Sequence, residues 1–133
     1  MNDYANVLTA QQRADLERRL GEYEAQTTHQ IVVLTVPSLQ GELIEAYSLR
    51  MANAWKLGRK DADNGVLLTV APLDSKARIE LGVGMSRFVS DATVARIMRE
   101  AMIPHFRDRQ FANGIEAGVE RLMTECRAYK VTH

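Results

Sequence analysis

The segment DADNGVLLTVAPLDSKARIEL, residues 61–81, decides the fold class of this chain. Its apolar run 66–70 shows no alternation of polar and apolar residues, which is typical of a strand covered on both faces. The turn formers APLDSK follow, and residues 77–81 return as a second run of strand type, so we predict a β-hairpin. If the turn centres on LDS, antiparallel pairing places Val66 opposite about Gly82.

A third strand is predicted upstream of this hairpin, where IVVLTV at 31–36 is a β-branched run that Pro37 closes. Between the two buried strands, apolar residues recur at helical spacing. They are Ile44, Tyr47, Met51 and Trp55. A strand, a helix and a strand at this spacing form a crossover unit, so the strands at 31–36 and 66–70 are predicted to be parallel neighbours.

Helices are predicted at both ends of the chain. Thr9 and Gln12 have the spacing of a capping box before the first helix. Ser90 is placed to cap a later helix that Pro104 ends or kinks, and the last helix begins near Phe111. The predicted order is αβαββαα, an α/β fold in which a small mixed sheet lies in a three-layer α/β/α sandwich. We expect residues 1–133 to form a single domain of this kind.

Composition narrows the function classes. Seventeen basic and seventeen acidic residues give a formal charge of zero, which argues against nucleic-acid binding. Cys126 is the single cysteine and falls on an apolar helical stripe, so a buried thiol is expected rather than a disulfide, a metal ligand or a nucleophile. The histidines, His29, His105 and His133, lack metal-ligand spacing and are expected at the surface or the chain end.

Neither a membrane span nor a signal peptide is expected. No apolar run reaches the ~20 residues that a transmembrane helix needs. The first residues, MNDYANVLTAQQ, contain neither the basic nor the apolar region of a signal peptide. A soluble chain is therefore expected.

The predicted hairpin brings two polar segments together. The loop before the strand at 66–70 contains Asp61, Asp63 and Asn64, and it should lie beside the segment that leads to Asp91. Carboxylate and amide oxygens suit hard cations such as Ca²⁺ or Mg²⁺. The same residues are also good turn formers, because Asp and Asn bond their own backbone and glycine accepts positive φ. Both interpretations, a cation site and a structural turn, stay open at this point.

Two familiar motifs are excluded at this place. An EF-hand loop that began at Asp61 would need glycine at its sixth position and glutamate at its twelfth, where the chain has Val66 and Pro72. The glycines at 82 and 84 do not open a dinucleotide-binding loop, because the third glycine position holds Arg87.

Several segments resemble the TPM domain family. They are THQIVVLTVPSLQG, IEAYSLRMANAWKLGRKDADNGVLLTVAP, RIELGVG followed by VSDA, and IPHFRDRQFANGIEAGV. The resemblance runs from about residue 6 to residue 122, and the pattern W-x-[IL]-G-x-K-x-x-D-N-G-V-L-L in residues 55–68 is its most specific part. It implies an α/β/α sandwich with a mixed sheet, and thus secures the fold better than the activity.

The resemblance also implies possible functions. Members usually face the extracytoplasmic side or accompany membrane complexes, some bind Ca²⁺, and plant members resemble thylakoid acid phosphatases. Without a signal peptide a cytoplasmic location also stays open for this chain. Carried over by position, the family's acidic pocket maps onto Asp63, Asn64 and Asp91, with Asp61 as a further ligand.

This chain departs from the family pattern at three positions. Ser86 stands where a glutamate is common, and Arg87 adds a positive charge that could contact a phosphate. Gln110 replaces the aspartate of a G-D-Y motif. We expect a non-enzymatic Ca²⁺-binding module for a protein partner, such as a membrane-associated complex. A metal-assisted acid phosphatase is the first alternative, and a scaffold domain without a metal site is the second.

Overall fold

The computed structural model describes residues 1–55, 65–82, 84–85 and 89–132. Four strands and five α-helices lie in these residues: β1 (Asn2–Asp3), α1 (Ala10–Thr27), β2 (Gln30–Thr35), α2 (Ile44–Trp55), β3 (Gly65–Ala71), β4 (Lys76–Leu81), α3 (Asp91–Ile97), α4 (Ile103–Arg107) and α5 (Phe111–Thr132). A 3₁₀ turn, Pro72–Asp74, joins β3 to β4, and a π-helical segment, Met98–Met102, joins α3 to α4.

The four strands form one mixed sheet in the order β1-β2-β3-β4. The strands β1, β2 and β3 are parallel, and β4 is antiparallel to β3. Ile31 lies opposite Val66, so the predicted parallel pair is confirmed, and so is the hairpin. Val66 pairs with Leu81 rather than with the predicted Gly82, because the connection spans residues 72–75.

Helices cover both faces of the sheet, as the three-layer prediction requires. On one face, α1, α3 and α5 pack on alternate strand residues. On the other face, α2 packs on the intervening residues of the same strands. In β3, Leu68 faces the first layer and Leu67 the second, and both are fully buried. Burial on both faces explains why the strand sequence shows no alternation.

The strand β1 was not predicted. It contains two residues, Asn2 and Asp3, which pair in parallel with Leu34 and Thr35 of β2. A strand this short has no periodicity to read in the sequence. Its position is decided by contacts with β2, and those contacts make β2 an interior strand.

The predicted helix starts are confirmed by their caps. The Thr9 hydroxyl accepts a hydrogen bond from the Gln12 amide at 3.0 Å, and the Gln12 side chain accepts one from the Thr9 amide at 2.8 Å. Ser90 caps α3 in the same way, since its hydroxyl accepts from the Thr93 amide at 3.1 Å. These bonds, which are reciprocal at Thr9 and Gln12, satisfy amides that a helix end leaves without partners.

Pro104 does not end the helix that contains it. It lies in the first turn of α4, directly after the π-helical segment. There the Ile103 amide donates to the Met98 carbonyl, one residue further back than in an α-helix. Because proline lacks an amide hydrogen and crowds the preceding turn, the wider π-helical turn accommodates it and the chain stays helical.

Candidate cation site

The ends of three strands meet at the edge of the sheet where the site was predicted. Gln30 at the start of β2 lies beside Gly65 at the start of β3. The Gly82 amide, just after β4, donates to the Gly65 carbonyl at 2.8 Å. The two polar segments of the prediction therefore leave the sheet from adjacent, hydrogen-bonded positions.

Asp91 is the predicted ligand that the structure describes. It is the first residue of α3, where the helix dipole favours negative charge. Its side chain is exposed and lines a groove of about 410 Å³ together with Leu81 and the outer edge of β4. Among the described residues, no hydrogen bond or ion pair engages the Asp91 carboxylate.

The other predicted site residues, Asp61, Asp63, Asn64 and Arg87, lie outside the described residues. The part of the chain that the structure describes contains no group of three or more histidine, cysteine, aspartate or glutamate residues able to hold a metal. A cation site at this edge therefore needs the loop that precedes Gly65, and it stays a prediction.

The groove contains two further charged residues that the sequence analysis did not select. They are Arg78 and Glu80 of β4, whose side chains form an ion pair with 2.9 Å between Nε and Oε1. The alternation in ARIEL could have indicated that both lie on one face of the strand. Since each neutralises the other, the groove offers one unpaired carboxylate among its described residues, that of Asp91.

Gln110 lies far from this edge. It precedes Phe111, which lines a cavity with Val70 and Ala77 at the opposite end of β3 and β4. A seven-residue strand such as β3 is about 20 Å long. Gln110 is therefore not at the edge where the cation site is predicted, and its difference from the family's aspartate does not bear on that site.

Asp3 is a second carboxylate that sequence reasoning missed, and its side chain is fully buried. Its oxygens accept hydrogen bonds from the Thr35 hydroxyl at 2.6 Å, the Val7 amide at 3.0 Å and the Leu8 amide at 2.9 Å. Burial raises the pKa of Asp3, but these bonds and the charge of Arg13 outweigh it, so the pKa is lowered overall. Because its oxygens are engaged by protein donors, Asp3 holds the N-terminal segment on the sheet and is not a ligand site.

The prediction that His29 lies at the surface was wrong. Only 5% of His29 is exposed, and its Nδ1 lies 3.2 Å from the Tyr23 hydroxyl. Its amide donates to the Thr27 hydroxyl at 3.1 Å. His29 lies in the two-residue connection between α1 and β2, and this short connection keeps its ring against Tyr23 of α1. The local sequence carries no signal for this arrangement.

The Cys126 thiol is buried, as predicted, and it should react slowly. Burial raises its pKa to about 11, although a hydrogen bond with Tyr23 lowers it. Since the thiolate is the reactive form, we expect native protein at pH 8 to react with a disulfide reagent at least ~100-fold more slowly than unfolded protein. Absorbance of the released thiol, with and without urea, measures both rates. Equal rates would contradict the buried position.

Among the helices that the structure describes, none has both the length and the hydropathy of a membrane-spanning segment. The mixed sheet between two helical layers defines the class of this protein as an α/β sandwich domain, with a polar groove at one edge of the sheet.

The comparisons with known proteins identify the family. The model of the TPM domain matches residues 1–125. This chain belongs to the TPM domain family. The comparison with curated proteins found no significant match.

Solved structures share the fold. The N-terminal domain of a P. gingivalis protein is 29% identical at a TM-score of 0.84, with 91% of this chain and 77% of that chain covered. The BA42 protein of Bizionia argentinensis is 23% identical at a TM-score of 0.78, with 92% of this chain and 83% of that chain covered. The N-terminal domain of a Corynebacterium glutamicum protein is 15% identical at a TM-score of 0.69, with 90% of this chain and 74% of that chain covered. At the lower identities the likeness concerns the fold alone.

Proposed function

We propose that this TPM domain is a non-enzymatic divalent-cation-binding module that presents its loops to a protein partner. Asp61, Asp63, Asn64 and Asp91 supply the ligands, and Ca²⁺ is the preferred ion, with Mg²⁺ as the alternative. The single observation that supports it most is the position of Asp91. Its carboxylate is exposed and unpaired within the described residues, at the edge where the Gly82 amide bonds Gly65.

Asn64 and Asp63 directly precede Gly65, so chain connectivity keeps them near this edge. Consecutive Cα atoms lie about 3.8 Å apart, which leaves Asp63 within about 8 Å of the Gly65 backbone. The oxygen-only ligand set suits a hard cation. Carboxylates brought together repel one another, and a bound divalent ion removes that repulsion.

A binding role is favoured over catalysis by the residues beside Asp91. The groove is lined by the Arg78–Glu80 ion pair and by apolar side chains, without serine, cysteine or histidine among its described lining residues. Hydrolysis of a phosphomonoester needs a nucleophile or an activated water in addition to a metal. The phosphatase alternative would depend on metal-bound water and on Arg87 as a phosphate contact.

A partner role follows from how the cation would act. Its ligands lie on separate segments, the loop before β3 and the start of α3, so binding joins the two. The joined loops then form a recognition surface whose shape depends on the ion. A protein of a membrane-associated complex is the partner proposed for this surface, on the family resemblance.

The cation site predicts a Ca²⁺-dependent rise in melting temperature. With free Ca²⁺ at ~100 times the dissociation constant, folding should gain about 2.7 kcal/mol, a rise of about 10 °C. Asp63→Asn and Asp91→Asn should each abolish the rise. Asp63→Asn should also raise the melting temperature of the metal-free protein, because it relieves carboxylate repulsion. Melting curves with Ca²⁺ and with a chelator measure both effects.

Asp108→Asn is the matched control, since Asp108 is an exposed carboxylate after α4 without an ion pair among the described residues. It should keep the full Ca²⁺ response. If the melting temperature of the wild type does not change at millimolar Ca²⁺, the cation site is contradicted and the loop before Gly65 is only a structural turn. If the wild type hydrolyses a phosphomonoester robustly, and Asp63→Ala folds but loses this activity, the protein is a phosphatase rather than a non-enzymatic binding module.

A further inference from the structure

A cavity of about 320 Å³ opens at the end of the sheet opposite the candidate cation site. It lies between the β3–β4 hairpin and the helical segments 98–111. Side chains from both sides supply an apolar lining: Val70, Ala77, Met98, Ile103, Phe106 and Phe111. The volume lies in the range of sites that bind small molecules.

Two aromatic residues and the π-helical segment shape this cavity. The rings of Phe106 and Phe111 lie 5.7 Å apart between centroids and border the cavity on its helical side. Met98 begins the π-helical segment, and its carbonyl accepts from the Ile103 amide. A π-helical turn widens the helix and often accompanies a binding site. The side chains of these residues are only partly buried, so apolar surface faces the opening of the cavity: Met98, Ile103, Phe106 and Phe111.

The rim of the cavity is positively charged. Lys76 of β4 and Arg107 of α4 both line it, both are exposed, and neither forms an ion pair with a described residue. The guanidinium of Arg109 lies 5.4 Å from the centre of the Phe111 ring. Asp74 lines a different groove together with Lys76, and its carboxylate accepts a hydrogen bond from the Leu39 amide at 2.6 Å.

We propose that this cavity binds a small amphipathic anion, a medium-chain carboxylate. Its alkyl chain lies among the apolar lining residues, and its carboxylate lies at the rim between Lys76 and Arg107. Both features of the cavity are needed for this assignment. A purely apolar ligand would leave the two cations without a role, and an inorganic anion would leave the apolar cavity empty.

The position of Arg107 in the last turn of α4 has a second stabilising effect, because cations suit the negative end of a helix. That effect does not extend to Lys76, which lies on a strand across the cavity. The convergence of two cations from different elements on one apolar opening is therefore the observation that carries the proposal. It is independent of the cation site.

Titration of the full chain with hexanoate, octanoate and decanoate, followed by amide NMR shifts, tests the proposal. We expect saturable shifts at residues around the cavity, with affinity rising about tenfold for each added pair of methylene groups. Decanol, which lacks the charge, should bind at least about threefold more weakly than decanoate, and decyltrimethylammonium more weakly still.

Lys76→Ala and Arg107→Ala should each weaken decanoate binding about three- to fivefold. Arg99→Ala is the matched control, because Arg99 is exposed on the same helical stretch and does not line the cavity. Ala77→Leu should fill the cavity and abolish binding, and melting curves verify that this variant folds. The two surface variants remain informative if it does not.

Three results would overturn the proposal: equal binding of decanol and decanoate, shifts scattered away from the cavity, or affinity that is unchanged in both Lys76→Ala and Arg107→Ala. Shifts confined to the cavity that require both the chain and the carboxylate would establish it.

Discussion

The Asp3→Asn variant is expected to lose about 3 kcal/mol of folding free energy at pH 7, a fall of about 10 °C in melting temperature. In the wild type, the Asp3 carboxylate accepts from the Thr35 hydroxyl and from the amides of Val7 and Leu8. An asparagine has a single acceptor oxygen, so its amide hydrogens would face one of these donors. The side chain is fully buried, and water cannot compensate.

The same carboxylate predicts a pH dependence. The folded-state pKa of Asp3 is lowered, because the hydrogen bonds and Arg13 outweigh burial. A lowered pKa contributes stability above the unfolded-state value of about 3.9, and that contribution is lost as the pH falls through the folded-state pKa. The difference in stability between wild type and Asp3→Asn should therefore be full at pH 7 and shrink progressively below about pH 4.

Urea unfolding of both proteins between pH 7 and pH 2 measures this difference. Asp15→Asn is the control, because Asp15 is half-exposed and forms a surface ion pair with Arg18. It should change stability by at most ~0.5 kcal/mol. If Asp3→Asn and the wild type have the same free energy of unfolding, the position of the N-terminal segment does not depend on this carboxylate.

The Gly118→Leu variant is expected to lose about 3 kcal/mol, although leucine favours helices more than glycine does. A Cβ atom at Gly118 would lie 2.5 Å from Sδ and 2.8 Å from Cγ of Met102. Met102 is fully buried in the π-helical segment and has little room to move. The glycine permits α5 to pack closely on this segment, and a leucine there requires the buried Met102 side chain or the helix itself to shift.

Gly21→Leu is the matched control, because a Cβ at Gly21 of α1 would meet nothing within 4 Å. There the helix propensity acts alone, and a gain of about 0.8 kcal/mol is expected. Thermal unfolding of both variants measures the contrast. Adding Met102→Ala to Gly118→Leu should restore part of the loss, since it removes the atoms that clash. Equal effects at the two glycines would contradict the close packing.

Most of the fold was predictable because it depends on local patterns. The apolar runs at 31–36 and 66–70 lack alternation because both faces of each strand are covered, and this pattern predicted buried strands. The helix-length segment between them predicted that they pair in parallel. The capping box at Thr9 and Gln12 predicted the first residue of α1 correctly. Each of these signals lies within one short segment of the chain.

The candidate site was predictable in part. The hairpin register alone implied that the loop before Gly65 lies beside the segment after β4. The Gly82–Gly65 hydrogen bond confirms that the two residues from which these segments leave the sheet are neighbours. The position of Asp91 at the start of α3 followed from the Ser90 cap. Whether the carboxylates converge on an ion depends on loop geometry, which hydrophobic periodicity does not encode.

The amino-acid sequence by itself determined the order of the elements from α1 to β4, the pairing of β3 with β2 and β4, the capped starts of α1 and α3, and the family. Tertiary structure alone decided the rest: the buried Asp3–Thr35 bond, the burial of His29, the contact of Gly118 with Met102, and the meeting of Lys76 and Arg107 at one cavity. The physical reason is range. Periodicity and capping act over a few residues, whereas burial, hydrogen-bond satisfaction and close packing depend on atoms that folding brings together from distant positions in the chain.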